Sequence, residues 1–81
     1  MSDSVDEIRR VVDAHGRLPV PVADLPDEAD LYEAGMTSHA SVSVMLALED
    51  AFDVEFPDEM LTREVFESVA SMANAIEKLR G

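Results

Sequence analysis

The sequence predicts an all-α protein, a small three-to-four-helix bundle with a long first loop. Apolar residues recur at three- and four-residue steps in three separate stretches. Capping residues and chain breakers bracket those stretches, and three of the four prolines gather between the first and the second. Eighty-one residues leave room for one domain, spanning 1–81, with a single modest core.

Ser4-Val5-Asp6-Glu7 has the pattern of a capping box, with Ser4 as N-cap and Glu7 reaching back to it. Ile8, Val11 and Val12 follow at helical spacing and Gly16 ends the segment, so the first helix is expected over roughly Ser4 to His15. Pro19, Pro21 and Pro26 bar a regular helix from Arg17 to about Met36. A connection near twenty residues needs anchors, and Leu18, Val20, Val22, Leu25 and Leu31 are available to pin it. Asp30-Leu31-Tyr32-Glu33-Ala34-Gly35 predicts one helical turn closed by a glycine.

The central helix is expected from about Ser38 to Phe52, with Thr37 or Ser38 as its N-cap. Asp53-Val54-Glu55-Phe56-Pro57 breaks it, with Val54 and Phe56 turned inward, and Pro57 starts a short helix through about Leu61. Thr62-Arg63-Glu64 predicts a further turn leading to Phe66. Ser68 then caps a last helix whose Val69, Met72, Ala73, Ile76 and Leu79 share one face. Lys78 and Arg80 stand at its C-terminal end, where they complement the helix dipole.

Charge and composition narrow the function. Eighteen acids against six bases give a net charge of −12. That balance opposes nucleic-acid and anionic-membrane binding, which want cationic surfaces. It either steers basic partners toward the chain or does no more than keep it soluble. There is no cysteine, so disulfides and thiolate metal sites are excluded. Met1-Ser2-Asp3-Ser4 is polar and acidic without an apolar signal core, and no segment reaches membrane-spanning length. The expectation is a cytoplasmic monomer.

Against this charged background, Gly35 to Leu48 contains no Asp, Glu, Lys or Arg, and Ser38 stands at its helical start. On a wheel with Ser38 at zero, Val44, Met45, Leu48, Ala51 and Phe52 fall between about 220° and 340°, an ordinary core arc. Val42 and Leu46 fall instead near about 40° and about 80°, on the side of Ser38, His39, Glu49 and Asp50. An outward apolar stripe rimmed by acids fits a partner-docking surface. The competing explanation is a central helix buried on two sides, which the unpaired carboxylates of Glu49 and Asp50 oppose.

Asp30-Leu31-Tyr32-Glu33-Ala34-Gly35-Met36-Thr37-Ser38, the central helix, and Phe52-Asp53-Val54-Glu55-Phe56-Pro57-Asp58-Glu59 together resemble the acyl carrier protein family. Those proteins share the Asp-Leu, the Gly three residues before a modified serine, and the Phe-acidic-x-x-apolar-Pro-acidic break. The resemblance covers about Asp30 to Leu79. It implies that Ser38 is esterified with 4′-phosphopantetheine from coenzyme A by a magnesium-dependent phosphopantetheinyl transferase. The arm's thiol then holds an acyl or aminoacyl group as a thioester for partner enzymes with basic docking surfaces.

The same comparison implies no catalysis by the chain itself and places docking on His39, Val42, Leu46, Glu49 and Asp50, extended by Glu55 and Glu59. Thr37 stands where the family usually has Asp, His39 where it has Leu or Met, and Ser43 where fatty-acid carriers tend to be acidic. The long proline-containing loop, the absence of Asp before Ser38, and the segments Ala40-Ser41-Val42 and Phe56-Pro57-Asp58-Glu59-Met60-Leu61 resemble small bacterial carriers charged with amino acids by ligases similar to class II aminoacyl-tRNA synthetases. The alternative from another class is an unmodified acidic helical interaction module, in which Ser38 only caps a helix.

Other constellations have simpler explanations. Ser38 and His39 point about 100° apart as helical neighbours, with no third group to orient a catalytic dyad. His15 suits a helix C-terminus. Asp27-Glu28-Ala29-Asp30 lacks the glycine and spacing of a calcium loop and is expected to be a solvated acidic turn. Met36, Met45, Met60 and Met72 are expected in the core, and Ser41, a rival hydroxyl, points toward the core arc.

Overall fold

The computed structural model describes Asp3–Arg80, so Met1, Ser2 and Gly81, including the start of the acidic N-terminal stretch, lie outside the described residues. Five α-helices follow one another: α1 (Asp3–His15), α2 (Leu31–Ala34), α3 (Ser38–Phe52), α4 (Arg63–Phe66) and α5 (Val69–Arg80). Single 3-10 turns at Val22–Asp24 and Asp58–Met60 interrupt the two long connections, and no strand occurs among the described residues. The all-α expectation holds, with three long helices and two one-turn helices.

α1 packs against both α3 and α5, and α4 against α5. Ile8 and Val12 of α1 meet Val44 and Leu48 of α3 and Val69, Met72 and Ile76 of α5 in one continuous core, closed by Leu31, Met36, Phe56 and Phe66. Burying each of these aliphatic side chains stabilises the fold by roughly 1.5–3 kcal/mol. Phe56 and Phe66 meet edge-to-face with ring centroids 5.3 Å apart, which locks the segment after α3 onto the end of α4.

The predicted capping box at the first helix does not form. Ser4 lies inside α1 and donates a hydrogen bond to Glu77 of α5 (3.3 Å), while Glu7 pairs with Arg10 (2.6 Å). Gly16 ends α1 as expected, through closeness and not handedness. A Cβ there would stand 2.7 Å from the Val12 carbonyl oxygen, and the positive φ belongs to Arg17. A second box forms where only a single cap was predicted. Ser68 accepts from the Ser71 N–H (3.0 Å) and the Ser71 hydroxyl accepts from the Ser68 N–H (3.1 Å), with Ser71 in the place of the usual Glu or Gln.

The long first loop is pinned by polar contacts as well as apolar ones. Val22 and Leu31 are buried and Leu18 and Leu25 pack partly against the core, but Val20 is exposed and anchors nothing. Arg9 of α1 donates to the Val22 carbonyl (2.9 Å), the Leu25 carbonyl (2.7 Å) and the Asp27 carboxylate (2.6 Å). The Asp27 carbonyl accepts from Ala70 N–H (2.9 Å), and Leu31 N–H donates to the Glu67 carbonyl (2.6 Å).

Asp27-Glu28-Ala29-Asp30 is therefore not simply a solvated turn. Asp27 clips the loop to α1, and Asp30 caps α2 by accepting from the N–H groups of Tyr32 and Glu33. Gly35 ends α2 at φ +123°, and its Cα lies so close to the Pro19 ring that a Cβ would stand 2.6 Å from Cδ. Conformation and packing both demand glycine there, three residues before Ser38.

Candidate functional site

α3 begins at Ser38 because Thr37 caps it: the Thr37 side-chain oxygen accepts from Ala40 N–H at 3.0 Å. Of the two capping candidates, Thr37 takes the role. Ser41, the rival hydroxyl, is half-buried and donates back to the Ser38 carbonyl at 2.7 Å. Neither bond engages the Ser38 hydroxyl, which stands exposed at the head of a 15-residue helix.

The first intrahelical bond runs from Ser41 N–H to the Thr37 carbonyl (2.9 Å), and Ala40 N–H is met by the cap. The amides of Ser38 and His39 are left without helical acceptors, at the positive end of the helix dipole. A phosphate esterified to Ser38 meets both features, a ready pair of N–H donors and a favourable field.

The outward stripe expected along α3 is present. Val42 is 51% and Leu46 56% exposed, and His39 and Asp50 lie exposed on the same helix. Glu49 differs from its neighbours: it is half-buried, and one carboxylate oxygen accepts from the Phe56 N–H at 2.9 Å, tying the break after α3 back to the helix. Glu55 and Glu59 are exposed on that following segment. On the opposite face, Ala40, Val44 and Leu48 are buried, while Met45 and Phe52 are half-buried. Ala51 was expected in this arc but is exposed, in the last turn of α3. Met36 and Met72 are core residues, and Met45 and Met60 only partly so.

An open groove of about 390 Å³ adjoins Ser38. Buried Phe66 and half-buried Met45 line it together with exposed Val42, Leu61 and Arg63 and with Tyr32. Leu61 is 44% exposed and extends the apolar stripe off α3. The Arg63 guanidinium lies 4.5 Å from the centroid of the Tyr32 ring. Sequence patterning missed Leu61, Tyr32 and Arg63 as site residues, because no periodicity links a turn at Tyr32 to a loop some thirty residues later. Among the described residues, no group of three or more His, Cys, Asp or Glu is placed to hold a metal ion.

Comparison with known proteins agrees with this geometry. The family described as "phosphopantetheine attachment site" matches residues 11–76. The chain belongs to that family. It is a carrier protein of the acyl carrier type, working through a 4′-phosphopantetheine arm.

This carrier is 47% identical over 70 residues to an aminoacyl carrier protein of Agrobacterium fabrum, covering 86% of the present chain and 84% of the relative. Its fold matches a carrier chain crystallised in complex with an engineered Bradyrhizobium japonicum glycine:[carrier protein] ligase and AMP, the carrier coming from Agrobacterium tumefaciens. That match has a TM-score of 0.88 at 45% identity and covers 90% of this chain and 97% of the other. A second match is a glycylated carrier protein in complex with the Bradyrhizobium japonicum ligase, with a TM-score of 0.77 at 29% identity, covering 89% and 96%. The unmodified interaction module is not favoured by these findings. No helix among the described residues is long and apolar enough to cross a membrane.

Proposed function

We propose that this single carrier domain, residues 1–81, carries its arm on Ser38 and receives an amino acid from an ATP-dependent ligase, with glycine the first candidate. The observation that carries the reading is the exposed Ser38 hydroxyl at the head of α3, left out of the cap by Thr37. In the attachment reaction, the Ser38 oxygen forms a bond to the pantetheine-side phosphorus of coenzyme A. The pyrophosphate bond breaks, 3′,5′-ADP leaves, and the hydroxyl proton passes to the phosphopantetheinyl transferase. The arm supplies a terminal thiol that holds the aminoacyl group as a thioester.

The chain's own residues hold and present. The Ser38 and His39 amides face the phosphodiester. His39, Val42, Leu46 and Asp50 form the docking stripe, extended by Leu61, Glu55 and Glu59, and Glu49 shapes its lower end while bonded to Phe56. The acidic rim suits ligases, transferases and downstream enzymes with basic docking surfaces. This reading makes the chain a carrier and not an enzyme: the transferase activates the Ser38 hydroxyl, so the chain needs no acid or base of its own.

The test is intact mass. Incubation with coenzyme A, magnesium and a broad-specificity transferase adds one phosphopantetheinyl group to the chain and none to Ser38→Ala. Adding a glycine:[carrier protein] ligase with ATP and glycine then adds one glycyl group. No first gain, or a gain that survives Ser38→Ala, overturns the attachment site. A first gain without any aminoacyl gain across a panel of amino acids overturns the cargo.

A further inference from the structure

We propose that Arg63 is the positioning residue for the phosphodiester of the arm. The inference rests on Ser38 as the attachment point. Six bases stand against eighteen acids in this chain, and three of the six engage other groups. Arg9 is spent on two carbonyls and Asp27, Arg10 on Glu7, and Arg80 lies over the Phe52 ring. Arg63 is the one base that lines the groove containing Ser38.

Its side chain is held without being consumed. The Tyr32 ring supports the face of the guanidinium at 4.5 Å, and its nearest carboxylate oxygen, on Asp30, is 4.0 Å away, beyond hydrogen-bonding distance. Asp30 spends its other oxygen on the amides of Tyr32 and Glu33. A guanidinium stacked on a ring keeps its edge free to donate, and a phosphate oxygen is the acceptor its fork suits best.

A phosphodiester on Ser38 and the Arg63 guanidinium would share this one open groove, whose lining includes Val42, Met45, Leu61 and Phe66. The Ser38 and His39 amides at the head of α3 and the Arg63 guanidinium would supply the donors to the phosphate, and a contact from Arg63 would restrict the arm's rotation about Ser38. In a strongly acidic protein this also offsets the repulsion between a new anion and its surroundings.

NMR on the apo and phosphopantetheinylated forms tests this, after intact mass has shown that the arm is present on Ser38. An absent mass gain defeats the attachment reading and leaves nothing for Arg63 to hold. With the arm present, the Arg63 side-chain Nε–Hε resonance and the Tyr32 ring resonances shift between apo and holo wild type. The phosphorus-31 resonance of the holo protein moves in Arg63→Gln and returns part of the way in Arg63→Lys. A purely structural stacking role disturbs Tyr32 equally in both forms and leaves phosphorus unmoved. The proposal is overturned by an unmoved Nε–Hε resonance in wild type, which needs no variant to fold. It is overturned equally by a phosphorus resonance identical across the three proteins.

Discussion

Val44 and Val42 stand two residues apart on α3, yet Val44 is fully buried while Val42 is half in water. The same contrast separates Leu48, with no exposure, from Leu46 at 56%. One helix thus presents two apolar faces of similar chemistry, and what differs is what lies opposite each. α1 covers the face of Ala40, Val44 and Leu48. Among the described residues nothing covers the exposed halves of Val42 and Leu46, so each forgoes about half of the roughly 1.5–3 kcal/mol of full burial in the isolated carrier. That free energy becomes available when a partner docks.

The sharpest way to break this contrast is to truncate one leucine from each face. Leu48→Ala opens a cavity among residues that cannot collapse onto it, and the expected loss is about 2–5 kcal/mol of unfolding free energy. For a domain of this size, with stability near the lower end of the usual range, a loss of that order leaves a sizeable unfolded fraction. Urea denaturation followed by circular dichroism measures it. A loss comparable to that of an exposed position would mean that the face is not the core.

Glu49 tests the boundary between the faces. The wheel puts it with the docking stripe, but its carboxylate accepts from the Phe56 N–H and ties the break after α3 to the helix. Glu49→Ala removes a charged acceptor from a half-buried amide and is expected to cost about 1 kcal/mol, the solvent-exposed part of the interaction being discounted. The same denaturation experiment reads it. Asp50→Ala, one residue on and exposed, serves as the control with no measurable cost.

How far the sequence reveals this molecule depends on whether a feature is local. The bounds of α3, the turn at Asp30–Gly35, the inward Phe56 and the apolar face of α5 all follow from spacing, caps and breakers within a few residues. Ser38 was legible for the same reason, as a hydroxyl heading an uncharged run. Features joining distant segments were not. Ser4 matches a cap motif but bonds instead to Glu77, seventy-three residues away. Asp27 looked solvated because its partner Arg9 lies eighteen residues upstream. Arg63 reaches the Tyr32 ring, and Leu61 and Val42 line one groove, though each pair is far apart in sequence. A wheel assigns azimuth but not what lies across from it, and so it placed Ala51 in the core and Glu49 wholly in solvent.

The smallest stability effect should accompany the largest change in partnership. Leu46→Ala removes a side chain already more than half in water, so unfolding free energy should change by no more than about 0.5 kcal/mol. If the outer face is where a ligase docks, the same truncation removes apolar area at the centre of that contact, and aminoacyl loading at limiting carrier concentration should fall by roughly ten-fold, about 1.4 kcal/mol. The fall should lie in KM for the carrier with kcat little changed, because the residue contributes to association and not to the thioester chemistry. Loading kinetics on the phosphopantetheinylated proteins, run beside their denaturation curves, separate the two. A Leu46→Ala variant that loads as well as wild type would break the division of α3 into a face for the core and a face for partners. A variant that both unfolds and fails to load would show Leu46 to be a core residue that happens to reach the surface.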